Sequence, residues 1–388
     1  MKKPMPSLPL KYGINPHQLQ ASLSAPSLPL KILNGNPSYI NFLDALNGYQ
    51  LVKELEHALK RPAATSFKHA SPTSSALARP LEQARLKAYF LNPSINDSPI
   101  ASAYARARGA DRLSSFGDFA ALSAPCDLAC AQMLSVEVSD GIIAPDFEPK
   151  ALELLQQKKK GGYVILQIDP NYTPPLLETR TIFGLTLTQE RNHTLISPDC
   201  LKDIVSQKKE LPLQAKEDLI LSLITLKYTQ SNSICLAYGG QAIGVGAGQQ
   251  SRIYCTKIAA DKADLWHLRV HPKVLDLPFK PKLPRPTKDN LIYAYLTHGL
   301  SQADLEHFTS PPKPLSLEEK ADYLKGIKGV GLGSDAFFPF SDSLERAALS
   351  GVSYVAQSGG SKQDTSVIAT ADALGMVMIF THLRLFHH

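Results

Sequence analysis

The order of apolar and polar residues along the chain predicts helices that alternate with strands. Apolar residues at 43, 46, 52, 55 and 59 recur with the helical period, which predicts a helix from about residue 41 to 60. The short apolar runs at 63–67 and 163–168 are typical of buried strands. Further helical patterns lie at 101–112, 150–160, 215–228 and 365–374, and further strand patterns at 351–356 and 376–380. The alternation predicts an α/β fold built in layers.

The densest run of small, polar and glycine residues, at 228–252, predicts a β-hairpin beside a ligand site. Strand patterns at 234–238 and 241–246 flank Gly239-Gly240, a pair that suits a two-residue turn with positive φ at both positions. An asparagine precedes the first strand, and glycine-rich backbone and an arginine follow the second. A surface hairpin with a loose loop is the alternative interpretation.

Proline-rich stretches indicate how the chain is divided. The stretch 169–180 predicts a boundary between a first unit, 1–175, and a second unit, 176–388. A segment dense in proline and lysine then interrupts the alternation, and helical patterns follow it. Together they predict a helical insertion at about 270–328.

Two local expectations concern the first half of the chain. The valines of 136–138 and the isoleucines of 142–143 predict a short strand that Ser139-Asp140-Gly141 breaks. The lysines at 158–160 are expected at the solvated carboxyl end of a helix, where they complement its dipole, and Gly161 is expected to end that helix.

Length and charge narrow the class of protein. The 388 residues suffice for two domains, and the net charge of +6 is spread along the chain, which favours small anionic ligands over nucleic acid. The five scattered cysteines are typical of reduced thiols in a cytoplasmic protein. The N-terminus lacks the apolar region of a signal peptide, and no apolar run reaches the roughly 18 residues of a membrane span.

Lys68-His69 is the sharpest candidate for chemistry. The pair follows a predicted strand, and Ser71 and Pro72 are expected to open a helix as its N-cap and first residue. A lysine can stabilise an oxyanion, and a histidine can take a proton near neutral pH. The alternative is a surface lysine beside a structural histidine.

Single residues exclude two other activities, zinc-dependent deamination and dinucleotide binding. A zinc deaminase needs a glutamate two residues after its histidine, and Ser71 stands there after His69. Cys126 and Cys130 are also one residue too far apart for that site, and are expected in the core. The glycine-rich run at 244–248 lacks the third glycine of a dinucleotide fingerprint, because Gln249 takes its place.

Many segments, in order from end to end, resemble the transformylase domain of the bifunctional purine-biosynthesis enzyme that also carries inosine monophosphate cyclohydrolase. They are KYGINPHQ (11–18), SFKHASP (66–72), SAYARARGADRLSSFGDF (102–119), EVSDGIIAP (137–145), YTQSNS (228–233), GAGQQSRIYCTKIAADKAD (246–264), SDAFFPFSD (334–342) and LRLFHH (383–388). The last indicates that the terminal histidines belong to the family's own C-terminus and not to a purification tag.

The resemblance implies two tandem cytidine-deaminase-like α/β units of three layers, the second with a helical insertion. It implies a homodimer with active sites at the subunit interface. The implied reaction moves the formyl group of 10-formyltetrahydrofolate to the 5-amino group of 5-aminoimidazole-4-carboxamide ribonucleotide (AICAR). A non-catalytic nucleotide-binding protein on the same fold is the alternative, although keeping Lys68, His69, Asn232 and Arg252 together favours an enzyme.

The resemblance also implies roles for individual residues. His69 matches the proton acceptor, Lys68 the transition-state stabiliser and Asn232 the amide that orients the reactants, and His388 lines the same pocket. A structural potassium ion is implied near Asp335, with no catalytic metal. The implied nucleotide contacts are Lys11, Tyr12, Gly117, Asp140, Arg252, Phe337 and Arg384, and the implied folate contacts are Ile253, Asp342, Ser361 and Lys362.

The sequence departs from the family in four ways. Lys11 stands where the family has an arginine, which keeps the charge but loses the two-pronged hydrogen bond to phosphate. Ser74 replaces a glycine, and the folate loop at 356–364 differs in its proline and glycine positions. The cyclohydrolase domain is absent from the sequence, so another protein is expected to close the ring.

Overall fold

Two six-stranded sheets organise the computed structural model, which describes residues 7–25 and 27–388. Residues 1–6, on which the expectation of no signal peptide partly rests, lie outside the described residues. The strands are β1 (Ser7–Pro9), β2 (Ser22–Ser24), β3 (Leu30–Asn34), β4 (Ala63–Lys68), β5 (Ser71–Leu77), β6 (Asp118–Leu122), β7 (Ser139–Ala144), β8 (Val164–Ile168), β9 (Leu177–Ile182), β10 (Leu185–Glu190), β11 (Asp203–Ile204), β12 (Ile234–Ala237), β13 (Ala242–Gly246), β14 (Val330–Ser334), β15 (Val352–Gln357) and β16 (Val377–Phe380). The α-helices are α1 (Tyr39–Leu59), α2 (Gln83–Ala88), α3 (Pro99–Ala110), α4 (Leu128–Ser135), α5 (Pro149–Gln156), α6 (Leu213–Lys227), α7 (Arg252–Leu268), α8 (Pro272–Leu275), α9 (Arg285–Leu296), α10 (Gln302–Leu305), α11 (Leu317–Lys325), α12 (Asp342–Ala348) and α13 (Asp364–Ala373).

The two sheets share one topology. The first has the order β3-β8-β7-β6-β4-β5, and the second has the order β11-β16-β15-β14-β12-β13. In both orders the second and third pairings are parallel and the other three are antiparallel. The prediction of two α/β units is confirmed, and the units repeat one arrangement. The boundary between residues 175 and 176, which falls between β8 and β9, stays a prediction.

Each sheet lies between helices, and the inner helices pack on each other. Helix α1 covers one face of the first sheet, α6 covers the corresponding face of the second, and the two helices are in contact. Their apolar residues share one core with both sheets. The outer faces have separate cores, one with α3 and α4 and the other with α7 and α12. The hairpin edges also meet, because the Leu77 N–H of β5 donates to the Gly240 carbonyl, 2.9 Å away.

The second unit contains a helical insertion, and its predicted bounds of about 270–328 stay a prediction. Helices α8 to α11 lie between α7 and β14 and form a small core of their own. Buried ion pairs join the insertion to the first unit. Arg112 of the first unit binds Glu137 of the same unit and Asp289 of α9. Burying charges is costly unless each one has a partner, and Arg269 supplies a second cation to Asp289.

The helix predicted to begin at Ser71 and Pro72 is wrong. These residues open β5, which pairs with β4 on one side and contacts β13 on the other. The Ser-Pro pair is a local helix signal, but Thr73, Ser74 and Ser75 that follow it are buried between these strands. Pairing with β4, together with packing against the distant strand β13, therefore overrides the local helix signal.

Two expectations for residues 136–161 are also wrong. The strand is not broken at Ser139-Asp140-Gly141, because β7 begins there and runs unbroken to Ala144. The helix that was expected to reach the lysines ends at Gln156, and residues 158–161 form a separate 3₁₀ turn. Lys159 and Lys160 are exposed, but Lys158 is not a solvated helix end, since its ammonium donates to the Glu137 carbonyl.

Within residues 7–25 and 27–388, no helix has the length and apolar character needed to cross a membrane. The five cysteines are free thiols, and Cys126 and Cys130 are buried in the core, as the sequence predicts.

Candidate active site

A tight turn between β4 and β5 presents Lys68 and His69. Lys68 is the last residue of β4, and His69 and Ala70 make the turn with φ angles of 54° and 56°. Two successive positive φ angles match the twist of hairpin strands. The predicted setting of the pair, before a helix N-terminus, is therefore wrong. The paired strands hold the turn from both sides, with the His69 side chain exposed and Lys68 half-buried.

The turn opens onto a cleft of about 70 Å³ that collects several of the predicted residues. Its walls come from the start of α1, the β4–β5 turn and the amino ends of β6 and β7. A cation, an imidazole and two carboxylates therefore face one small space, which is the kind of setting that shifts proton affinities. The polar side chains that line the cleft are Asn41, Asp44, Lys68, His69 and Asp140. Gly117 contributes backbone to the lining.

The backbone before β6 positions Lys68. The Lys68 ammonium donates to the Phe116 carbonyl at 2.6 Å, which holds it at the edge of the cleft. Gly117 has a φ of 79° and donates its N–H to the Val138 carbonyl at 2.9 Å. Glycine suits this position because its positive φ strains other residues. An added Cβ would also stand 4.0 Å from the Lys68 ammonium.

A buried carboxylate supports the floor of the cleft. Asp118 is fully buried and accepts hydrogen bonds from the Ser66 and Tyr104 hydroxyls, at 2.7 and 2.8 Å. Arg108 pairs with the same carboxylate, so its charge is compensated. This network holds β4 and β6 side by side, and so holds Lys68 against the Phe116 carbonyl.

Asp140 occupies the opposite wall and is partly neutralised. Its carboxylate lies 2.6 Å from the Lys159 ammonium, and both side chains are exposed. Lys159 comes from the 3₁₀ turn after α5, where it has a φ of 52°. The sequence interpretation missed Lys159 because it assigned the lysines to a helix end. The signal available was Gly161-Gly162, which favours a turn directly after them.

Asp44 lies behind the turn and was also missed. It is on the buried face of α1, and its carboxylate accepts the Ala70 N–H at 2.7 Å. Burial raises the pKa of Asp44 from 3.8 to about 6, against the opposing effect of the Ala70 N–H, the His69 charge and the His69 N–H. An aspartate inside the apolar stripe of a helix was the signal that could have found it.

Lys11 and Tyr12 lie by the start of α1. The Tyr12 carbonyl accepts the N–H of Tyr39, the first residue of α1, at 3.4 Å. The Lys11 ammonium stands 5.5 Å from the centre of the Tyr12 ring. Since Asn41 of the same helix start lines the cleft, the two residues are near its rim. A lysine beside a helix N-terminus favours an anionic group there.

A second cluster surrounds Asp335, directly after β14. The buried Asp335 carboxylate pairs with Arg252 and accepts the hydroxyl protons of Ser231 and Ser233, at 2.6 and 3.0 Å. Arg252 also donates to the Asn232 side-chain oxygen at 3.0 Å. The structure thus brings Arg252 and Asn232 together, with the guanidinium held by protein groups.

The C-terminus joins this second cluster. The Leu385 N–H donates to the Asp335 carbonyl at 2.8 Å, which places Arg384 beside it. The His387 carbonyl accepts the Ser231 N–H at 3.0 Å, so the exposed His388 ends the chain at the same place. Burial lowers the pKa of His387. Phe337, two residues after Asp335, is exposed.

A hydrogen bond joins the segment after the β4–β5 turn to the second cluster. The Gln230 N–H donates to the Ser71 hydroxyl at 3.2 Å. Ser71 follows the His69-Ala70 turn directly, and Gln230 is two residues from Asn232. The two groups of predicted residues are therefore neighbours in the fold. Ser74, one of the departures from the family, strengthens this junction because its hydroxyl donates to the Ala242 carbonyl of β13 at 2.6 Å.

The predicted folate residues follow the parallel strands of the second sheet. Asp342 begins α12 after β14, and Ser361 and Lys362 lie between β15 and α13. The two loops are in contact, because the Phe338 N–H donates to the Gln357 side chain at 3.2 Å. Ile253 is in the first turn of α7, beside Arg252. In the part of the chain that the structure describes, the four predicted folate residues do not line the cleft that holds Lys68 and His69.

The Asp335 cluster fits a potassium ion only in part. Both carboxylate oxygens already accept hydrogen bonds from Arg252, Ser231 or Ser233, so the carboxylate has little capacity left for a cation. Residues 7–25 and 27–388 hold no group of three His, Cys, Asp or Glu side chains placed to bind a metal. An ion here would depend on nearby carbonyl and hydroxyl oxygens, and no chemical step is assigned to it.

The fold and the site define a two-unit α/β protein with a lysine–histidine cleft at the amino ends of two parallel strands. The model of the AICARFT/IMPCHase bienzyme family matches residues 3–262. The chain belongs to this family.

Relatives agree over almost the whole chain. It is similar to a "Bifunctional purine biosynthesis protein PurH" from Roseobacter denitrificans, with 31% identity over 385 residues, and to one from Cereibacter sphaeroides, with 29% identity over 386 residues. Each match covers 98% of this chain and 59% of the relative. The chain thus spans about three fifths of the length of the curated relatives it matches.

Proposed function

We propose that the protein acts in purine biosynthesis and transfers the formyl group of 10-formyltetrahydrofolate to the 5-amino group of AICAR. The observation that carries the proposal is the placement of Lys68 and His69 together on a turn that opens into the cleft with Asp140 and Gly117. Family membership supports the choice of reaction. The products are formyl-AICAR and tetrahydrofolate.

The chemistry explains why this pair suits the reaction. The AICAR amine is conjugated with its ring and is a poor nucleophile, so a base must remove a proton as it attacks. We assign that role to His69, whose exposed imidazole faces the cleft. Negative charge then builds on the formyl oxygen, and the Lys68 ammonium stabilises it. The Phe116 carbonyl holds this ammonium by one of its three protons, leaving the others for substrate.

The remaining proposed contacts come from the first cleft, from the second cluster and from the loops beyond the second sheet. Asn232 orients the amine and formyl group, and His388 completes the catalytic set. The proposed AICAR site includes three cationic and two aromatic side chains. Its residues are Lys11, Tyr12, Gly117, Asp140, Arg252, Phe337 and Arg384. The folate binds to Ile253, Asp342, Ser361 and Lys362.

We further propose that the enzyme is a homodimer with active sites between subunits. The proposed folate residues lie beyond the parallel strands of the second sheet and outside the lining of the cleft. The hairpin β9–β10 also supports a partner, because both of its strands are exposed throughout and the Phe183 at its tip is fully exposed. Exposed apolar side chains gathered on one hairpin are typical of a surface that another chain covers, and here they are Leu177, Ile182, Phe183, Leu185 and Leu187.

An assay of the purified protein tests the reaction. With AICAR and 10-formyltetrahydrofolate, wild type should release tetrahydrofolate. His69→Ala should abolish release while AICAR binding, measured by calorimetry, weakens no more than about 3-fold. AICAR binding without turnover in wild type would favour the nucleotide-binding alternative. An equal loss of binding and rate in the variant would make His69 a binding residue and not the base.

A further inference from the structure

The two units use the same device at equivalent places. Asp44 is the sixth residue of α1, and Asp218 is the sixth residue of α6, the corresponding helix of the second unit. Each carboxylate binds the backbone of its own unit's hairpin turn. Asp44 accepts from Ala70 at 2.7 Å, and Asp218 accepts from Gly239 and Gly240 at 3.0 and 2.6 Å.

The two turns differ in what they demand of the backbone. Gly239 and Gly240 have φ angles of 63° and 77°, which glycine adopts at little cost. His69 and Ala70 have φ angles of 54° and 56°, which strain residues that carry a Cβ. The same carboxylate clamp therefore holds a relaxed turn in the second unit and a strained turn in the first.

We infer that Asp44 is the positioning residue for His69: by binding the N–H groups of the strained turn, it fixes the histidine where it can act as the base. This inference rests on the proposed function for the role of His69. It explains why a carboxylate is kept on the buried face of α1, where it lies between the β4–β5 turn and the core.

The charges around Asp44 agree with a role toward the turn. His69 and Lys68 face it from the turn and the end of β4, and Asp140 faces it from β7. Asp140 in turn is bound by Lys159. Asp44 therefore has no paired lysine or arginine of its own among these groups, and its direct hydrogen-bond partners are the amides of the turn.

Variants at the two equivalent aspartates test the inference. Asp44→Ala should lower kcat for formyl transfer by about 10- to 100-fold, with the KM for AICAR within about 3-fold of wild type, because a misplaced base slows chemistry more than binding. Asp44→Asn keeps one oxygen for the Ala70 N–H and should restore kcat to within about 5-fold of wild type. Asp218→Ala is the matched control, and should keep kcat within about 2-fold while losing stability.

Three outcomes would overturn the inference: an unchanged kcat in Asp44→Ala, an equal loss in Asp218→Ala, or no rescue by asparagine. Hydrogen exchange of the Ala70 amide separates this inference from the proposed reaction. The amide should exchange at least about 10-fold faster in Asp44→Ala than in wild type. If wild type transfers no formyl group, the proposed function fails, and an unchanged exchange rate would then refute the clamp itself.

Discussion

Replacing the buried Asp218 by asparagine should change how stability depends on pH. Asp218 is fully buried, and burial raises its pKa from 3.8 to about 6, although the Gly240 N–H, Gln214 and the Gly239 N–H oppose the rise. Glu217 adds a like charge nearby. The folded state therefore favours the neutral acid more than the unfolded state does.

The sign of the effect follows from this preference. Since the folded pKa lies above the unfolded pKa, the contribution of Asp218 to stability is fully present below pH 3.8 and is lost as the pH rises through 6. At about 1.4 kcal/mol for each tenfold change in proton affinity, the full contribution is about 3 kcal/mol, of which about 2 kcal/mol is lost between pH 4.5 and 8.

Urea unfolding of wild type and Asp218→Asn at pH 4.5, 6 and 8 measures this term. Asparagine binds one turn amide and loses the other, but this cost is the same at every pH and cancels in the comparison. The free energy of unfolding of the variant, relative to wild type, should rise by about 2 kcal/mol from pH 4.5 to 8. Asp44→Asn should show the same trend, because burial also raises the pKa of Asp44 to about 6. A difference that stays flat within about 0.5 kcal/mol would refute the reasoning.

Two other substitutions test the site and the packing. Lys11→Arg should lower the KM for AICAR, since a guanidinium can bind phosphate with two hydrogen bonds, and an unchanged or higher KM in steady-state assays would show that Lys11 does not contact the phosphate. Gly244→Ala should cost at least about 3 kcal/mol in urea unfolding, because the new Cβ would lie 2.0 Å from the Ala259 carbonyl oxygen of α7. At Gly299 an added Cβ meets nothing within 4 Å, and the only strain comes from its positive φ of 88°. Gly299→Ala should therefore lower the free energy of unfolding by about 1 kcal/mol, and an equal loss in the two variants would contradict the packing argument.

The periodic parts of the fold could be predicted from the sequence. The helix at 41–60 and the hairpin around Gly239-Gly240 match the structure within a few residues, and helices interrupt the second unit as the sequence predicts. Each of these elements has a signal in the local sequence. The signals are an apolar stripe with the helical period, a pair of glycines at a turn, and a break in the alternation of helices and strands. The segment after His69 could not be predicted in the same way. Its local signal is that of a helix start, whereas its strand conformation comes from pairing with β4 and from packing against β13, which is more than 160 residues away.

The resemblance predicts which residues form the candidate site, but not how they are arranged. The segments that resemble the family identify Lys68, His69 and Arg252, but the sequence does not show that Arg252 is held by Asp335 or that Lys159 binds Asp140. Such pairings join elements that lie far apart in the chain, so only the fold reveals them. Asp44 escaped notice because its role depends on a turn whose strands were not both recognised.

The repeated hairpins explain why chemistry is proposed for only one of the two units. In the second unit the turn is closed off: Gly240 is buried, its carbonyl accepts the Leu77 N–H, and the Gly239 carbonyl accepts from Arg106 at 2.6 Å. The first unit thus uses the second turn as part of the junction between units. Its own turn stays open, with His69 exposed over the cleft. One device therefore has two uses: the buried turn can be glycine because it only has to pack, whereas the open turn must carry side chains to react, and the strain of doing so makes a clamp such as Asp44 necessary.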